Sequence, residues 1–452
     1  MSSNDPGPVI AIIGGGFSGA MVAVHLATRG GPRRPRLALF EKSERFARGL
    51  AYGTKCDRHL LNVAAGMMSA LPDQPSHFLD WLRDRDPEAH AGTFAPRRVY
   101  GDYLEDLLMK VGRDSGTRID LIRDEVLDMA PVTPEGPLRL TTRSGRHLVA
   151  DRTVLALGNP LPTDPGGTAP GKLPGYRANP WAADVLDGLS PEESILLIGS
   201  GLTAVDLVVE ACERGHLGTI HTVSRHGLLP CGHRPVAPRP HFHLAAQRST
   251  ARGLLRSVRQ EAAVCREEGG DWRSVIDALR PDLPNLWKSM DVPERARFLR
   301  HVAPRWDVHR HRVAPEIEDL LENRRRQGQL QMTAGRVLDL IPSHGRIGVR
   351  IRPRGEDRTV QVEADRVINC TGPSKDFRRG GPPLLASLIA RGIARPGPLA
   401  LGLDVLDSGA VDGPASDRLF AIGPIRKESL WETTAVRELR TQAQDLARLL
   451  LA

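Results

Sequence analysis

The sequence predicts an α/β fold of two Rossmann-like units, each followed by a β-meander, with a helical insertion in the second unit. Three observations predict this fold. A short apolar, β-branched run, Val9–Ile13, leads into a glycine-rich turn and then a helical pattern. The same order of strand, glycines and helix recurs at residues 194–209. Each copy is followed by a matching stretch that alternates polar and apolar residues and closes on a strand ending in glycine.

The first glycine-rich turn reads Gly14-Gly-Gly16-Phe-Ser-Gly19 and lies between the predicted strand and helix. In such a turn Gly14 permits the sharp bend, Gly16 lets a pyrophosphate approach the backbone, and Gly19 lets the helix pack on the strand. The next predicted strand, Leu37–Phe40, ends in Glu41, an acid placed to bond ribose hydroxyls. The first unit is therefore predicted to be dinucleotide-binding.

The second turn reads Gly199-Ser-Gly201-Leu-Thr203-Ala204, with alanine as the small third residue. Its following strand, Thr219–Val223, ends in Ser224-Arg225 and carries no acid. A hydroxyl and a guanidinium there favour the 2′-phosphate of NADP over the free diol of NAD. The alternative is a solvent-exposed arginine with no ligand.

The repeat extends beyond the two turns. Val126–Pro131 resembles Val337–Pro342, and Ala150–Gly158 resembles Ala364–Gly372. Both meanders thus return the chain to a strand whose last glycine, Gly158 or Gly372, lies beside the bound dinucleotide. We expect a first domain of residues 1–175 completed by 373–452, and a second of 176–372 with a helical insertion at about 240–330.

Composition excludes several classes of protein. The chain has 452 residues, 40% hydrophobic and 26% charged, as in folded globular proteins. Only seven of its 62 basic residues are lysine, and the arginines are interleaved with 54 acids rather than gathered in a stripe. The net charge of +8 therefore predicts no nucleic-acid partner. No apolar run near the N-terminus is long enough for a membrane span or a leader, so we expect a cytoplasmic protein.

The arrangement resembles the two-dinucleotide-binding-domain flavoproteins, and more narrowly the bacterial FAD/NAD(P)-binding proteins related to flavin-containing and N-hydroxylating monooxygenases. The narrower resemblance rests on four stretches: Gly49–Thr54, His59–Val63 with Met68-Ser69, Trp306–Arg312 and Leu430–Thr434. It implies FAD in the first unit and a nicotinamide nucleotide in the second, which Ser224-Arg225 favours as NADPH. In related flavoproteins the last strand of the first unit usually ends in Gly-Asp, whereas this chain has Gly423-Pro424.

The turns and the resemblance together assign a set of cofactor-binding residues. For FAD these are Gly14, Gly16, Phe17, Ser18, Gly19, Glu41, Gly49, Leu50, Asn62, Met68, Gly158, Gly423 and Thr433. For NADPH they are Gly199, Gly201, Thr203, Ala204, Ser224, Arg225 and Gly372. Among them, Gly49-Leu50 and the segment from Asn62 to Met68 are expected to approach the flavin ring.

FAD beside NADPH implies hydride transfer between the cofactors. The five cysteines include no Cys-x-x-Cys pair, which argues against a dithiol centre or a zinc ribbon. Molecular oxygen is then the favoured electron acceptor, and the predicted function is a monooxygenase acting on a small molecule. Two alternatives stay open: a reductase that passes electrons to a carrier or a quinone, and a non-catalytic nucleotide-binding protein.

The sequence does not settle the catalytic residues, the substrate or the oligomeric state. Asn179 stands where related monooxygenases carry histidine, and His309 and Arg312 belong to an unusual cluster, Trp306–Arg312. That cluster either binds an anionic substrate or the NADP phosphates, or acts as an interdomain clamp. His233, His241 and His243 lie in a proline-rich stretch without a nearby acidic ligand, so we expect no metal site.

Overall fold

The computed structural model of the chain describes residues 7–29, 34–165, 173–240, 242, 250–374, 376–379 and 381–452. Its strands are β1 (Val9–Ile13), β2 (Arg36–Glu41), β3 (Ile119–Arg123), β4 (Val126–Pro131), β5 (Leu138–Thr142), β6 (His147–Ala150), β7 (Arg152–Leu155), β8 (Tyr176–Arg177), β9 (Ile195–Ile198), β10 (Ile220–Ser224), β11 (Leu330–Ser343), β12 (Arg346–Pro353), β13 (Val360–Ala364), β14 (Arg366–Asn369) and β15 (Leu419–Ala421). Its helices are α1 (Phe17–Arg29), α2 (Gly49–Tyr52), α3 (His77–Arg83), α4 (Arg97–Asp114), α5 (Leu202–Glu213), α6 (Ala251–Glu267), α7 (Trp272–Ala278), α8 (Leu283–Ser289), α9 (Val292–Arg297), α10 (Ala303–Arg310), α11 (Pro315–Arg326), α12 (Pro383–Ala390) and α13 (Val436–Leu451).

The chain divides into two compact units. The first comprises Met1–Asp57, Val63–Pro160 and Lys375–Ala452, and the second comprises Arg58–Asn62 and Leu161–Ser374. The predicted α/β fold class is confirmed. The assignment of one cofactor to each unit stays a prediction.

The first unit contains a parallel sheet in the order β15-β7-β1-β2-β3. Strand β1 is apolar throughout because both faces of a parallel sheet are covered. Helix α1 packs against α4 and α13. The antiparallel meander β4-β5-β6 and helix α12 bury Met129, Leu140 and Leu385 in one core with Ala11 and Ile13.

The second unit contains the sheet β13-β12-β11-β10-β9-β14-β8. Its β8, β14, β9 and β10 run parallel, and the first part of β11 continues this parallel pairing with β10. From Gly335 onward, β11 pairs antiparallel with β12, with a bulge between Val337 and Asp339, and β12 pairs antiparallel with β13. One long strand therefore serves both the Rossmann-like sheet and the predicted meander.

The predicted helical insertion is present between β10 and β11. The sequence pattern predicts helices at 254–265, 272–279, 294–302 and 317–327, and α6, α7, α9 and α11 lie there. Helices α8 and α10 lie outside these predicted ranges, and each has a proline in its first turn, where proline suits a helix. A π-helical turn, Phe298–Val302, joins α9 to α10. None of the helices in the described ranges is long and apolar enough to cross a membrane.

Candidate dinucleotide sites

The first glycine-rich turn has the backbone that the motif requires. Gly14 has a φ of +104°, and a Cβ there would lie 2.2 Å from the carbonyl oxygen of Ala156. A Cβ on Gly19 would lie 1.9 Å from the carbonyl oxygen of Gly14. Any side chain at these two positions would therefore disrupt the turn from β1 into α1.

Gly16 and Gly49 form a narrow approach between two backbone segments. A Cβ on either glycine would lie 3.3 Å from the Cα of the other. Gly49 also has a φ of +54°. The next residue, Leu50, is 53% exposed. The structure thus brings together two segments that the sequence assigns to FAD, and leaves an apolar side chain uncovered there.

Glu41 lies at the carboxyl end of β2 with a buried side chain. One of its oxygens, Oε2, accepts a hydrogen bond from Gly15 N at 2.8 Å, and Oε1 accepts one from Ser43 N at 2.8 Å. An ionised carboxylate has about four acceptor positions, so two remain after these bonds. The backbone holds Glu41 rigidly and leaves capacity for two ribose hydroxyls.

Strand β15 brings the C-terminal part of the chain to the same turn. Gly423 follows it with a φ of +84°, and a Cβ there would lie 3.2 Å from Ser18 Oγ. The buried hydroxyl of Thr433 donates to the carbonyl oxygen of Gly423 at 3.1 Å. Pro424 begins a short 3₁₀ turn, Pro424–Arg426, in place of the aspartate of related flavoproteins. The residues that the resemblance names at this end of the chain are therefore next to the N-terminus of α1.

Three further residues assigned to FAD lie in the first unit. Phe17 is buried, with its ring centroid 6.5 Å from that of Tyr52, so only its backbone is available to a ligand. Met68 is buried, and its carbonyl oxygen accepts a bond from the hydroxyl of Tyr100 at 2.8 Å. Gly158 has a φ of +69° and open space where a Cβ would be.

Sequence reasoning did not predict a cleft of about 920 Å³ beside the carboxyl ends of β2 and β3. Its lining includes Phe46, Ile122, Arg123 and Asp124, together with residues of α4 and of the β5–β6 turn. The strand-end position of Glu41 could have indicated it, because a ribose held there places its base further along the same sheet edge.

The second turn repeats the geometry of the first. Gly199 has a φ of +124°, and a Cβ there would lie 2.1 Å from the carbonyl oxygen of Cys370. Gly201 precedes α5, and a Cβ there would meet no atom within 4 Å. Ala204 is buried and Thr203 half-buried. Helix α5 thus begins after a glycine whose Cβ position is open, which suits the approach of an anion to a helix N-terminus.

Ser224 connects this turn to the end of β10. The hydroxyl of Ser200 lies 2.8 Å from Ser224 Oγ, and Ser224 Oγ accepts a bond from Gly227 N at 3.0 Å. Arg225 is exposed next to it. At the neighbouring strand end, Gly372 has a φ of +80° with open space at its Cβ position. These predicted residues gather at one edge of the second sheet.

Asn62, which is assigned to FAD, and His59 of the same resemblance stretch belong to the second unit. Asn62 falls in the second unit, where its carbonyl oxygen lies 2.9 Å from His233 Nε2. The Nε2 atom of His59 lies 2.9 Å from the carbonyl oxygen of Asp206. Asn179 accepts a bond from Trp181 N at 3.0 Å through Oδ1, which closes a local turn.

The Trp306–Arg312 cluster joins two helices of the insertion. Arg312 is buried, and its guanidinium pairs with Asp277 and donates from Nε to the carbonyl oxygen of His309 at 2.9 Å. His309 is half-buried, with its ring edge-on to Trp272 at a centroid distance of 4.7 Å. These contacts fasten α7 to the end of α10 within the second unit, and the choice between a ligand site and an interdomain clamp stays a prediction.

All five cysteines lie in the described residues as free thiols. Cys370 is buried, and this burial raises the pKa of its thiol far above the ordinary value. Thiolate chemistry at Cys370 is therefore suppressed. No group of three metal-ligating side chains occurs within the described ranges. His241 and His243 lie outside the described residues.

The two parallel sheets and the two glycine turns agree with the fold that the resemblance implies. Residues 11–160 match a family model described as FAD-NAD(P)-binding. Among solved structures, the ornithine N-hydroxylase of Kutzneria sp. 744 is 13% identical with a TM-score of 0.67, and 98% of each chain is covered. The L-lysine 6-monooxygenase of Pseudomonas syringae is 17% identical with a TM-score of 0.67, covering 98% of this chain and 99% of that one.

A third similar structure is the bacillithiol disulfide reductase Bdr of Staphylococcus aureus, at 12% identity and a TM-score of 0.56, with 99% of this chain and 98% of that one covered. No curated protein sequence matches the chain. At these identities the structural likeness establishes the fold, which includes members named as monooxygenases and as a reductase.

Proposed function

We propose that the protein is an FAD- and NADPH-dependent oxidoreductase that activates molecular oxygen on a small-molecule substrate. The observation that carries this proposal is the presence of two complete glycine turns with different strand-end residues. The first turn is paired with Glu41 and the second with Ser224-Arg225. One site thus suits a dinucleotide with a free ribose diol, and the other suits a dinucleotide with a 2′-phosphate.

The residues of the first unit fit FAD. The N-terminus of α1 supplies N–H groups for the pyrophosphate, and Gly16 with Gly49 supplies backbone without side chains beside it. Glu41 retains acceptor positions for the ribose, and the cleft lined by Phe46 and Ile122 has room for the adenine. Exposed Leu50 offers an apolar surface for a flat ring.

The residues of the second unit fit NADPH. A Cβ on Gly201 would occupy the open space in front of α5, which is the space a pyrophosphate needs. The bond between Ser200 and Ser224 fixes the strand end relative to this turn, and Arg225 is available to a phosphate. The role of this chain is to hold and orient the two cofactors.

When bound, the cofactor pair supplies hydride transfer from NADPH and electron transfer onward to an acceptor. Oxygen as that acceptor is supported by the buried, protonated thiol of Cys370 and by the names of two similar structures, the ornithine N-hydroxylase and the L-lysine 6-monooxygenase. The reductase alternative is supported by the disulfide reductase named among the similar structures.

Oxygen uptake distinguishes these functions. We expect the purified chain, supplied with FAD, to oxidise NADPH in air with matching oxygen consumption. NADPH-to-dye electron transfer without oxygen consumption would overturn the oxygenase proposal in favour of a reductase. Failure to bind FAD or to oxidise NADPH would overturn both and leave a non-catalytic protein.

A further inference from the structure

A second cleft, of about 480 Å³, lies beyond the end of β10 in the second unit. We call it the arginine cleft. It is lined by four arginines and two acids, which are Arg225, Arg336, Arg352, Arg354, Glu356 and Asp357. Only Arg225 belongs to the residues assigned to NADPH from the sequence, and the other three arginines come from the β11–β12 meander.

The arginine cleft adjoins the second glycine turn. In the parallel pairing of β10 with β11, Ser224 lies opposite Ala334, so Arg225 and Arg336 both follow the same edge of the sheet. Ser224 is in turn hydrogen-bonded to Ser200 of the glycine turn. A dinucleotide with its pyrophosphate at the glycine turn therefore extends its adenosine toward the arginine cleft.

Two of the arginines oppose each other across the meander. Arg336 pairs directly with Arg352 in the antiparallel register of β11 and β12. Cβ atoms of directly opposed residues lie about 4.5–5.5 Å apart, and like charges at this separation destabilise a sheet. An anion bound between the two guanidinium groups would remove this repulsion.

The charges of the cleft are not neutralised from within. In the described part of the chain, the guanidinium groups of Arg225, Arg336, Arg352 and Arg354 have no ion pair, whereas Glu356 pairs with Arg358. Burial lowers the pKa of neighbouring His226, and the charges of Arg354, Arg225 and Arg305 lower it further. The cleft is thus a region of positive potential.

We infer that the arginine cleft binds the 2′-phosphate of NADPH, and that Arg336, Arg352 and Arg354 set the preference for NADPH over NADH together with Arg225. This inference rests on the proposed binding of a dinucleotide in the second unit. A phosphomonoester carries close to two negative charges at neutral pH and three acceptor oxygens, which the planar fork of arginine matches. The ribose diol of NADH carries no charge and lacks these phosphate oxygens.

Two small probes test the inference without the flavin reaction: adenosine 2′,5′-bisphosphate and 5′-AMP, which differ only in the 2′-phosphate. We expect the wild-type chain to bind the bisphosphate about 100-fold more tightly, with a ratio that falls as salt is raised. Arg336→Ser and Arg352→Ser should each reduce this ratio about tenfold. The control is Arg350→Ser on β12, since Arg350 is already paired with Asp339 and does not line the cleft.

Thermal unfolding without ligand supplies a second readout. Since each substitution removes one of two repelling charges, the unfolding midpoint of Arg336→Ser and Arg352→Ser should not fall. If both variants keep the wild-type ratio of affinities for the two probes, the inference is overturned, although the proposed nucleotide site is not. Equal binding of the two probes by the wild-type chain would do the same. Binding of neither probe would overturn the proposed dinucleotide site and the inference with it.

Discussion

The substitution Gly201→Ala should separate nucleotide binding from folding. Gly201 is the residue before α5, with a φ of −82° and a ψ of −168°, an extended conformation that alanine adopts. A Cβ there meets no atom within 4 Å, so no packing is disturbed. Alanine is a poorer helix cap than glycine, and we expect the free energy of unfolding to fall by about 1 kcal/mol or less.

The effect on NADPH should be much larger. The added methyl group fills the space in front of the α5 N–H groups, where the pyrophosphate would accept charge-assisted hydrogen bonds. Each such bond contributes about 1.5–3 kcal/mol, so the loss of one weakens binding roughly 10- to 150-fold. Titration of NADPH into the two proteins measures this, with thermal unfolding as the check on folding. Gly112→Ala on α4 is the matched control, and there helix propensity predicts a gain of about 1 kcal/mol.

Wild-type affinity for NADPH in a folded Gly201→Ala protein would refute the reasoning. It would mean that the pyrophosphate does not lie at the turn before α5, and the assignment of the second unit to NADPH would lose its structural basis.

Three further outcomes are expected. Burial lowers the pKa of His25 from 6.5 to about 4, so the unfolded chain binds this proton at a higher pH than the folded chain does. Between pH 6.5 and pH 4, the free energy of unfolding of the wild-type protein, measured with urea, should therefore fall by about 3 kcal/mol more than that of His25→Leu. Equal falls in the two proteins would contradict the shift. In Glu41→Gln, the amide NH2 group would face the N–H of Gly15 or Ser43, so one of these two hydrogen bonds is lost. We expect the purified variant to contain less FAD than the wild-type protein, as measured by flavin absorbance, and full FAD occupancy would contradict the role of Glu41 at the ribose. Arg312→Ala should lower the unfolding free energy by about 1–3 kcal/mol with an unchanged KM for NADPH, and a raised KM in a stable variant would place Arg312 at a ligand.

The two glycine turns could be predicted from the sequence because their requirements are local. A φ of +104° at Gly14 and +124° at Gly199 leaves glycine as the residue of choice, and the flanking apolar strands fix the context. Glu41 and Ser224 could also be predicted, because each stands at the end of the strand that follows the glycine turn and its helix in the sequence. Strand, turn and strand end therefore appear together in the sequence pattern.

Features that depend on distant pairing could not be predicted. Arg336 and Arg352 are opposed only through the register of β11 with β12, which the bulge after Val337 shifts by one residue. Arg312 meets Asp277 through the packing of α10 on α7, a contact between residues 35 apart. The spacing of arginines along β12 is the one sequence signal for the cleft, because residues two apart on a strand share a face.

Anaerobic addition of NADPH to the FAD-loaded chain tests the central claim most directly. If the chain binds FAD and NADPH in positions that permit hydride transfer, the visible absorbance of the oxidised flavin should disappear when NADPH is added. It should disappear much more slowly when NADH is added. A chain that binds FAD and keeps its oxidised spectrum in the presence of NADPH would contradict the account, and so would a chain that takes up no FAD.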